Sequence, residues 1–196
     1  MSAPSRRWRL LLAVLLLGVA ADQATKFLAV ARLTTALRGR EGSLAGQVAG
    51  FYGFRHLEPY ATEAYVVVAP LWRMRYAENP GAAWGLFRDL SPGGRDALFS
   101  LITLAAVAFI LVTYRRVPPE RRLLRVALSL VLAGAVGNFL DRLARGYVVD
   151  FIDWHWWNRP DLAWPTFNLA DSMIVVGVIL LVLHPAPAKE GAAARE

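Results

Sequence analysis

Four long apolar segments constrain this chain more than any other feature of its sequence. They cover residues 10–31, 97–114, 126–143 and 167–184, and they are rich in Leu, Val, Ala and Ile without the alternation of a surface strand. A membrane-spanning helix needs roughly 20 mostly apolar residues. The sequence therefore predicts an all-α membrane protein with four transmembrane helices, in a single domain over residues 1–185.

The basic residues predict the orientation of these helices. The net charge is +7, and the arginines cluster before the first segment and between the second and third. Positive charge in short loops marks the cytoplasmic side of a membrane. Both termini are therefore expected in the cytoplasm, with a disordered tail over residues 186–196. No basic groove with stacking aromatics on a soluble module is apparent, so a nucleic-acid partner is not expected.

The first apolar segment has a second interpretation. Residues 1–21 also resemble a cleavable signal peptide, with a basic start, an apolar middle and small residues at the end. Asp22 and Lys26 follow directly and share a helix face, because they are four residues apart. This pair favours a first helix that is retained.

Two regions are predicted on the side opposite the arginine clusters. The longer one, residues 32–95, is rich in Gly and small residues over 39–53, which predicts irregular structure there. Residues 64–76 combine a β-branched run with alternation around Pro70, which predicts a strand or hairpin. The shorter region, residues 141–166, carries four tryptophans. We expect a small extracytoplasmic β-rich cradle and a short interfacial segment, with the tryptophans anchoring at the interface rather than binding substrate.

Three polar residues inside the apolar segments share one depth. Asp22, Asn138 and Asp171 each lie 13 residues from a basic or histidine residue at the predicted cytoplasmic end of their segment. That distance is roughly 20 Å along a helix. Ionisable groups in a membrane are costly and by default indicate function. We therefore expect the three residues to form one site toward the outer face.

A second aspartate is predicted to join this site. Asp150 follows the third apolar segment closely and is flanked by apolar residues. It would face Asp171, with Lys26, Arg142 and asparagine amides around the two carboxylates. Two adjacent carboxylates share a proton, so one can act as a base on water while the other protonates a carbonyl oxygen. For Asp150 and Asp171, the alternative is a buried network that only holds the helices together. For the pairs Asp22–Lys26 and Asp141–Arg145, that structural interpretation is the favoured one.

Other chemistries have weaker support in the sequence. The chain contains no cysteine, which excludes a cysteine nucleophile, disulfides and a thiolate zinc site. Asp153 and His155 are two candidate metal ligands in a loop, too few to predict a metal, and no cofactor is expected. The rival functions are a small proton- or ion-coupled carrier that uses Asp22 and Asp171, and a structural membrane subunit.

Five motifs together resemble the lipoprotein signal peptidase (signal peptidase II) family. They occur in the family's order over residues 22–26, 78–85, 134–142, 148–151 and 167–171. The resemblance implies an aspartic endopeptidase of the bacterial inner membrane that removes signal peptides from diacylglyceryl-modified prolipoproteins, before the lipidated cysteine. It implies membrane lipid and the inhibitor globomycin as further partners, and we expect a monomer.

The resemblance also implies roles for individual residues. Asp150 and Asp171 would be the catalytic pair. The residues expected to bind substrate or support the pair are Asn138, Arg142, Asn168, Asp22, Lys26, Asn79, Gly81, Gly134 and Ala170. The stretch between Lys26 and Asn79 is longer than the family pattern, and we expect an insertion over residues 38–63 that bears on the shape of the cradle.

Overall fold

The structure is a computed structural model that describes residues 6–38, 43–53, 56–81, 91–156 and 164–184. Its elements in chain order are α1 (Arg6–Leu33), α2 (Leu44–Gly53), a 3-10 turn (Glu58–Tyr60), β1 (Tyr65–Val68), β2 (Trp72–Asn79), α3 (Pro92–Arg116), α4 (Arg122–Arg145), β3 (Val148–Trp154) and α5 (Leu169–Leu183). Part of the 78–85 motif and the predicted disordered tail, residues 186–196, lie outside the described residues.

The predicted membrane helices are confirmed as apolar helices of different lengths. Three are long and apolar enough to cross a membrane: Trp8–Leu33, Gly93–Arg116 and Arg122–Arg145. The fourth, α5, has 15 residues. Its length is roughly 22 Å, somewhat short of a full hydrocarbon core. The difference arises at its start, because the side chain of Asn168 caps the helix and fixes its first residue at Leu169.

Helix α4 lies at the centre of the bundle and packs against α1, α3 and α5. Small residues bring its backbone close to its neighbours. A methyl group at Gly134 would overlap the carbonyl oxygen of Ala170 in α5, and one at Gly137 would lie 2.5 Å from a carboxylate oxygen of Asp22 in α1. Close backbone approach at small residues is a common basis of helix packing in membranes. These contacts hold the polar residues of three helices near one another.

A three-stranded antiparallel sheet lies next to the helices, in the order β1-β2-β3. The predicted strand or hairpin over residues 64–76 is confirmed by β1 and β2. The third strand was not predicted from the sequence. Helix α4 ends at Arg145, and the following Gly146 caps it with a φ of 79°, in the left-handed region that favours glycine. The chain then enters β3, which places Asp150 opposite Ala77 of β2.

The prediction of irregular structure over residues 39–53 is wrong for its later part, because Leu44–Gly53 form α2, whereas residues 39–42 lie outside the described residues. The Ser43 hydroxyl accepts a hydrogen bond of 3.1 Å from the backbone N–H of Gly46, which satisfies one donor of the first turn. Phe51 of α2 is 1% exposed and belongs to an apolar cluster with residues of α1 and the sheet. This tertiary packing outweighs the low helix propensity of the glycines.

Candidate active site

Asp150 lies in the middle of β3 and is 2% exposed. Its two carboxylate oxygens each accept a hydrogen bond from an asparagine amide. Asn168 Nδ2 donates to Oδ1 at 2.7 Å, and Asn79 Nδ2 donates to Oδ2 at 3.0 Å. Burial, together with the negative charge of Asp171, raises the pKa of Asp150 to about 7. The carboxyl group is therefore able to hold a proton near neutral pH.

Asp171 lies in the first turn of α5 and is partly exposed. Its Oδ2 accepts the backbone N–H of Asn168 at 3.1 Å, while the Asn168 side chain accepts the backbone N–H of Asp171 at 3.0 Å. This reciprocal pair is a capping box. Asn138 Nδ2 donates to the other oxygen, Oδ1, at 2.7 Å. Donors at both oxygens and the helix N-terminus all stabilise negative charge at this position.

Two asparagines connect the aspartates. Asn168 Nδ2 also lies 3.1 Å from Asn138 Oδ1, so the amide that binds Asp150 contacts the amide that binds Asp171. Lys26 Nζ donates to the same Asn138 oxygen at 3.0 Å. Because this oxygen receives two donors, the Asn138 amide nitrogen is directed at Asp171. The predicted grouping of Asp150 and Asp171 with asparagine amides is present in this geometry.

Behind the asparagines lies a fully buried ionic layer. Lys26 Nζ is 2.9 Å from Asp22 Oδ2 and 3.0 Å from Asp141 Oδ2, and Arg145 Nη2 is 2.5 Å from Asp141 Oδ1. The side chains of all four residues are 0% exposed. Two cations and two anions balance one another, as buried charges require. The two ion pairs that the sequence predicted, Asp22–Lys26 and Asp141–Arg145, are both present in this layer.

The small residues of the site act through the backbone. The N–H of Ala170 donates to Asp22 Oδ1 at 3.1 Å, which ties the start of α5 to α1. Gly81 has a φ of 132°, and a methyl group there would collide with the ring of Phe99. Its N–H donates to Asn79 Oδ1 at 3.0 Å, so the chain at residues 79–81 also orients the amide that binds Asp150.

Arg142 lies near the aspartates without a direct hydrogen bond to either among the described contacts. Its guanidinium carbon is 4.9 Å from the centre of the Phe99 ring, a cation–π distance. Its Nε is buried and has no hydrogen-bond partner in the part of the chain that the structure describes. Arg142 interacts electrostatically with Asp171 and Asp150. Its position leaves a buried donor beside the two carboxylates.

Asp153, one of the two candidate metal ligands, forms ion pairs with arginines. Asp153 is paired with Arg73 Nε at 2.6 Å and Arg75 Nε at 3.1 Å across the β2–β3 ladder. Within the described ranges, no cluster of three or more His, Cys, Asp or Glu side chains is arranged to hold a metal ion. Asp153 therefore functions as the partner of two surface arginines.

One residue of the site was not singled out from the sequence. Gln23 Nε2 donates to Asp22 Oδ2 and to Asp141 Oδ1, both at 3.1 Å, and so joins two carboxylates of the buried layer. Its neighbour Asp22 was predicted because it is ionisable. A polar amide next to a buried charge inside an apolar segment is the signal that could have identified Gln23.

Comparisons with known proteins agree with the motif resemblance. The family described as signal peptidase (SPase) II matches residues 14–186. A lipoprotein signal peptidase of Anaeromyxobacter sp. (strain Fw109-5) is 61% identical over 188 residues, which is 95% of this chain and 89% of the relative. A lipoprotein signal peptidase of Moorella thermoacetica is 44% identical over 119 residues, 61% of this chain and 71% of the relative.

Two solved structures of bacterial membrane enzymes have a similar fold. One superposes with a TM-score of 0.63 at 28% identity, covering 88% of this chain and 85% of the other. The second has a TM-score of 0.65 at 27% identity and covers 88% of this chain and 90% of the other. The sequence match covers most of α1 and all of the other apolar helices, the sheet and the polar site between them. The chain therefore belongs to the signal peptidase II family.

Proposed function

We propose that the chain cleaves diacylglyceryl-modified prolipoproteins as an aspartic endopeptidase, with Asp150 and Asp171 as its catalytic pair. Membership of the family makes it a peptidase and a multi-pass bacterial membrane protein. The observation that carries the aspartic mechanism is the asparagine bridge, in which Asn168 and Asn138 hold one carboxylate each and contact each other.

The two carboxylates have different environments, which suggests different roles. Asp150 is buried, and its pKa of about 7 lets it hold a proton at neutral pH. Asp171 is partly exposed and lies in the first turn of α5, where the helix N-terminus favours negative charge. Asp150 is therefore the general acid in the resting enzyme, and Asp171 is the general base.

The reaction then needs only water and these two groups. Asp171 removes a proton from a water molecule while the water oxygen attacks the carbonyl carbon before the lipidated cysteine. Asp150 donates its proton to the carbonyl oxygen, which gives a tetrahedral diol. Asp171 next protonates the leaving nitrogen, the C–N bond breaks, and Asp150 recovers a proton from the diol. Arg142 or Asn138 would contact the scissile backbone or the groups next to the lipid, and the buried Nε of Arg142, which has no hydrogen-bond partner among the described residues, supports this role.

The proposed orientation places both termini in the cytoplasm and the aspartates toward the outer face of the inner membrane. It is supported by the two arginine clusters and by the common depth of Asp22, Asn138 and Asp171. A lipid-modified substrate would enter sideways, because its acyl chains prefer the bilayer. A cytoplasmic reporter fused after Glu196 should be active, whereas a periplasmic signal would contradict this topology.

Cleavage of a lipidated precursor peptide by the purified protein tests the mechanism. Asp150→Asn and Asp171→Asn should each abolish cleavage while the protein still folds and inserts. Near-normal cleavage by either variant would show that the catalytic pair is assigned wrongly. Globomycin should inhibit the wild type, and activity should survive EDTA; loss with EDTA that zinc restores would instead indicate a metal enzyme.

The same assay separates the proposal from its rivals. If the network were purely structural, Asp150→Asn and Asp171→Asn would each lower the stability of the protein, and the folded fraction would still cleave the peptide. For a carrier, Asp22→Asn would abolish proton-linked uptake by vesicles in the absence of any peptidase activity. The family match favours the peptidase over the carrier.

A further inference from the structure

The C-terminal end of α2 is capped by a residue from α4. The last four carbonyl groups of a helix have no partner within the helix. Phe51 carries one of them, and Arg145 Nη1 donates to its oxygen at 2.8 Å. The Arg145 guanidinium also lies 4.1 Å from the centre of the Phe51 ring. A cation at this end of a helix is favourable, so Arg145 fixes where α2 ends against α4.

Two consecutive residues of α2 lead to the same carboxylate oxygen. Arg145, which binds the Phe51 carbonyl, donates through its other nitrogen to Asp141 Oδ1 at 2.5 Å. Tyr52 donates its hydroxyl to Gln23 Oε1 at 3.1 Å, and Gln23 Nε2 donates to Asp141 Oδ1 at 3.1 Å. The end of α2 is thus connected to Asp141 by two separate hydrogen-bond routes.

Asp141 in turn contacts both halves of the site. Its Oδ2 accepts the backbone N–H of Val149 at 3.1 Å, directly before Asp150 in β3. The same oxygen is 3.0 Å from Lys26 Nζ, which donates to Asn138, the residue that binds Asp171. A shift of Asp141 would therefore change the position of β3 and the direction of the Asn138 amide.

We propose that α2 is a positioning element for the active site. Tyr52 of α2, and Arg145 of α4 at the end of α2, set the position of Asp141, and Asp141 in turn sets the positions of Asp150 and Asp171. Neither Tyr52 nor Arg145 touches the reacting atoms, so both are positioning residues. The proposal rests on the function proposed above for Asp150 and Asp171. Helix α2 falls within residues 38–63, the stretch that is predicted from the sequence to be an insertion, so on that prediction this chain has a support for its site that relatives without the insertion lack.

Tyr52→Phe is the mildest test, because it removes one hydroxyl and leaves the ring in place. With the lipidated precursor peptide as substrate, kcat should fall about three- to tenfold and KM should stay the same. Arg145→Lys keeps the positive charge but does not offer the forked geometry that serves a carbonyl and a carboxylate together. Its kcat should fall about ten- to a hundredfold, again without a change in KM.

The two variants should also be coupled, because their routes meet at Asp141 Oδ1. The combined variant should lose less activity than the product of the two single losses. Its pH–rate profile should be displaced from that of the wild type, since the surroundings of Asp150 change when β3 shifts. Val48→Ala is the matched control: Val48 lies in the same helix with an exposed side chain, and this variant should keep the wild-type kcat.

The results that would overturn this role differ from those that would overturn the catalytic pair. If Tyr52→Phe and Arg145→Lys lower only the thermal stability, with unchanged kcat and pH profile, α2 is a packing element and the positioning role is wrong. If Asp150→Asn retains cleavage, the proposed function itself is wrong. If Arg145→Lys does not fold, Tyr52→Phe alone decides the outcome through its kcat.

Discussion

The side chain of Asn168 donates a hydrogen bond of 2.7 Å to Asp150 through Nδ2, and its Oδ1 caps the helix that carries Asp171. One side chain therefore has two separable tasks, the orientation of a carboxylate and the start of α5. The amide nitrogen serves the first task and the amide oxygen serves the second. Substitutions that keep only one of these atoms distinguish the two tasks.

Asn168→Ser should retain the cap and lose the contact to Asp150. Serine is a favoured N-cap residue, so the loss of stability should be limited to the buried contacts of Nδ2 with Asp150, Asn138 and Val149, about 1–3 kcal/mol. Cleavage should fall about a hundredfold, because the carboxylate loses its orienting donor. Asn168→Ala removes both atoms and should add a loss of about 1 kcal/mol in stability. Equal kcat for Asn168→Ser and wild type would mean that the Nδ2 contact has no catalytic role.

The pH dependence of cleavage should reflect the proton on Asp150. Because the pKa of Asp150 is raised to about 7, kcat should fall as the pH rises through 7 and the general acid is lost. The Asn79 amide donates to the ionised form and lowers this pKa, so Asn79→Ala should move the fall to higher pH. Rates measured between pH 5 and 9 check both expectations. A rate that increases steadily above pH 7 would show that Asp150 is not the general acid.

The same carboxyl group should lower the stability of the native protein at high pH. The pKa of Asp150 is about 7 in the folded protein, and its ordinary value, which applies to the unfolded chain, is 3.8. Between pH 3.8 and about 7, the folded state therefore binds a proton that the unfolded state has released. Stability therefore decreases as the pH rises through this window. Asp150→Asn removes the titration, and its apparent Tm should exceed that of wild type by several degrees, roughly 5 °C, at pH 8 and by less at pH 5. A Tm gain that is larger at pH 5 than at pH 8 would contradict a raised pKa of Asp150 in the folded protein.

The parts of the fold that the sequence predicts are those with a local signal. Apolar segments identify the long helices, and the β-branched run around Pro70 identifies β1 and β2. Helix α2 was not predicted because its glycines disfavour a helix, and the contacts that offset them, such as the burial of Phe51, depend on tertiary packing. Strand β3 was not predicted because its apolar run does not alternate. Its pairing with β2 also depends on a distant part of the chain.

The site shows the same division between local and distant information. The common depth of Asp22, Asn138 and Asp171 is a consequence of helix geometry, so it could be derived from residue spacing. The partner of each polar atom could not, because it depends on how helices rotate against each other. The cation between Asp22 and Asp141 is an example: Lys26 was expected to pair with one carboxylate, and it lies within 3.0 Å of both.

Lys26→Met should be strongly destabilising for this reason. It leaves Asp22 without a cation and Asp141 with Arg145 alone, in a layer with no exposure to solvent. Breaking a buried pair in this way costs about 3–5 kcal/mol. The apparent Tm in detergent, at one scan rate, should fall accordingly, and the addition of Asp22→Asn should recover part of the loss.

Arg75→Gln is the control for the Lys26 experiment. The Arg75 side chain is 47% exposed, and Arg73 also binds their common partner Asp153. The expected loss of stability is less than about 1 kcal/mol, as for other surface ion pairs. A Lys26→Met protein that unfolds at the wild-type temperature would show that the buried layer does not stabilise the bundle.

Gly134→Ala should disturb the site through the backbone alone. The added methyl group would overlap the carbonyl oxygen of Ala170 and lie 2.7 Å from the side chain of Ile174. Helices α4 and α5 must then separate, which moves Asp171 away from Asn138. Stability should decrease by about 1–3 kcal/mol, and cleavage should fall by about a hundredfold or more.

Gly93→Ala provides the matched substitution in α3, where a methyl group meets no atom within 4 Å. This variant should keep full cleavage activity and gain slightly in stability, by about 0.5 kcal/mol, because the unfolded chain loses conformational freedom. Both glycines lie in helices, so helix propensity does not explain a difference between the variants. If Gly134→Ala cleaves the lipidated precursor as fast as Gly93→Ala does, the close approach of α4 and α5 is not needed to place Asp171 against Asn138.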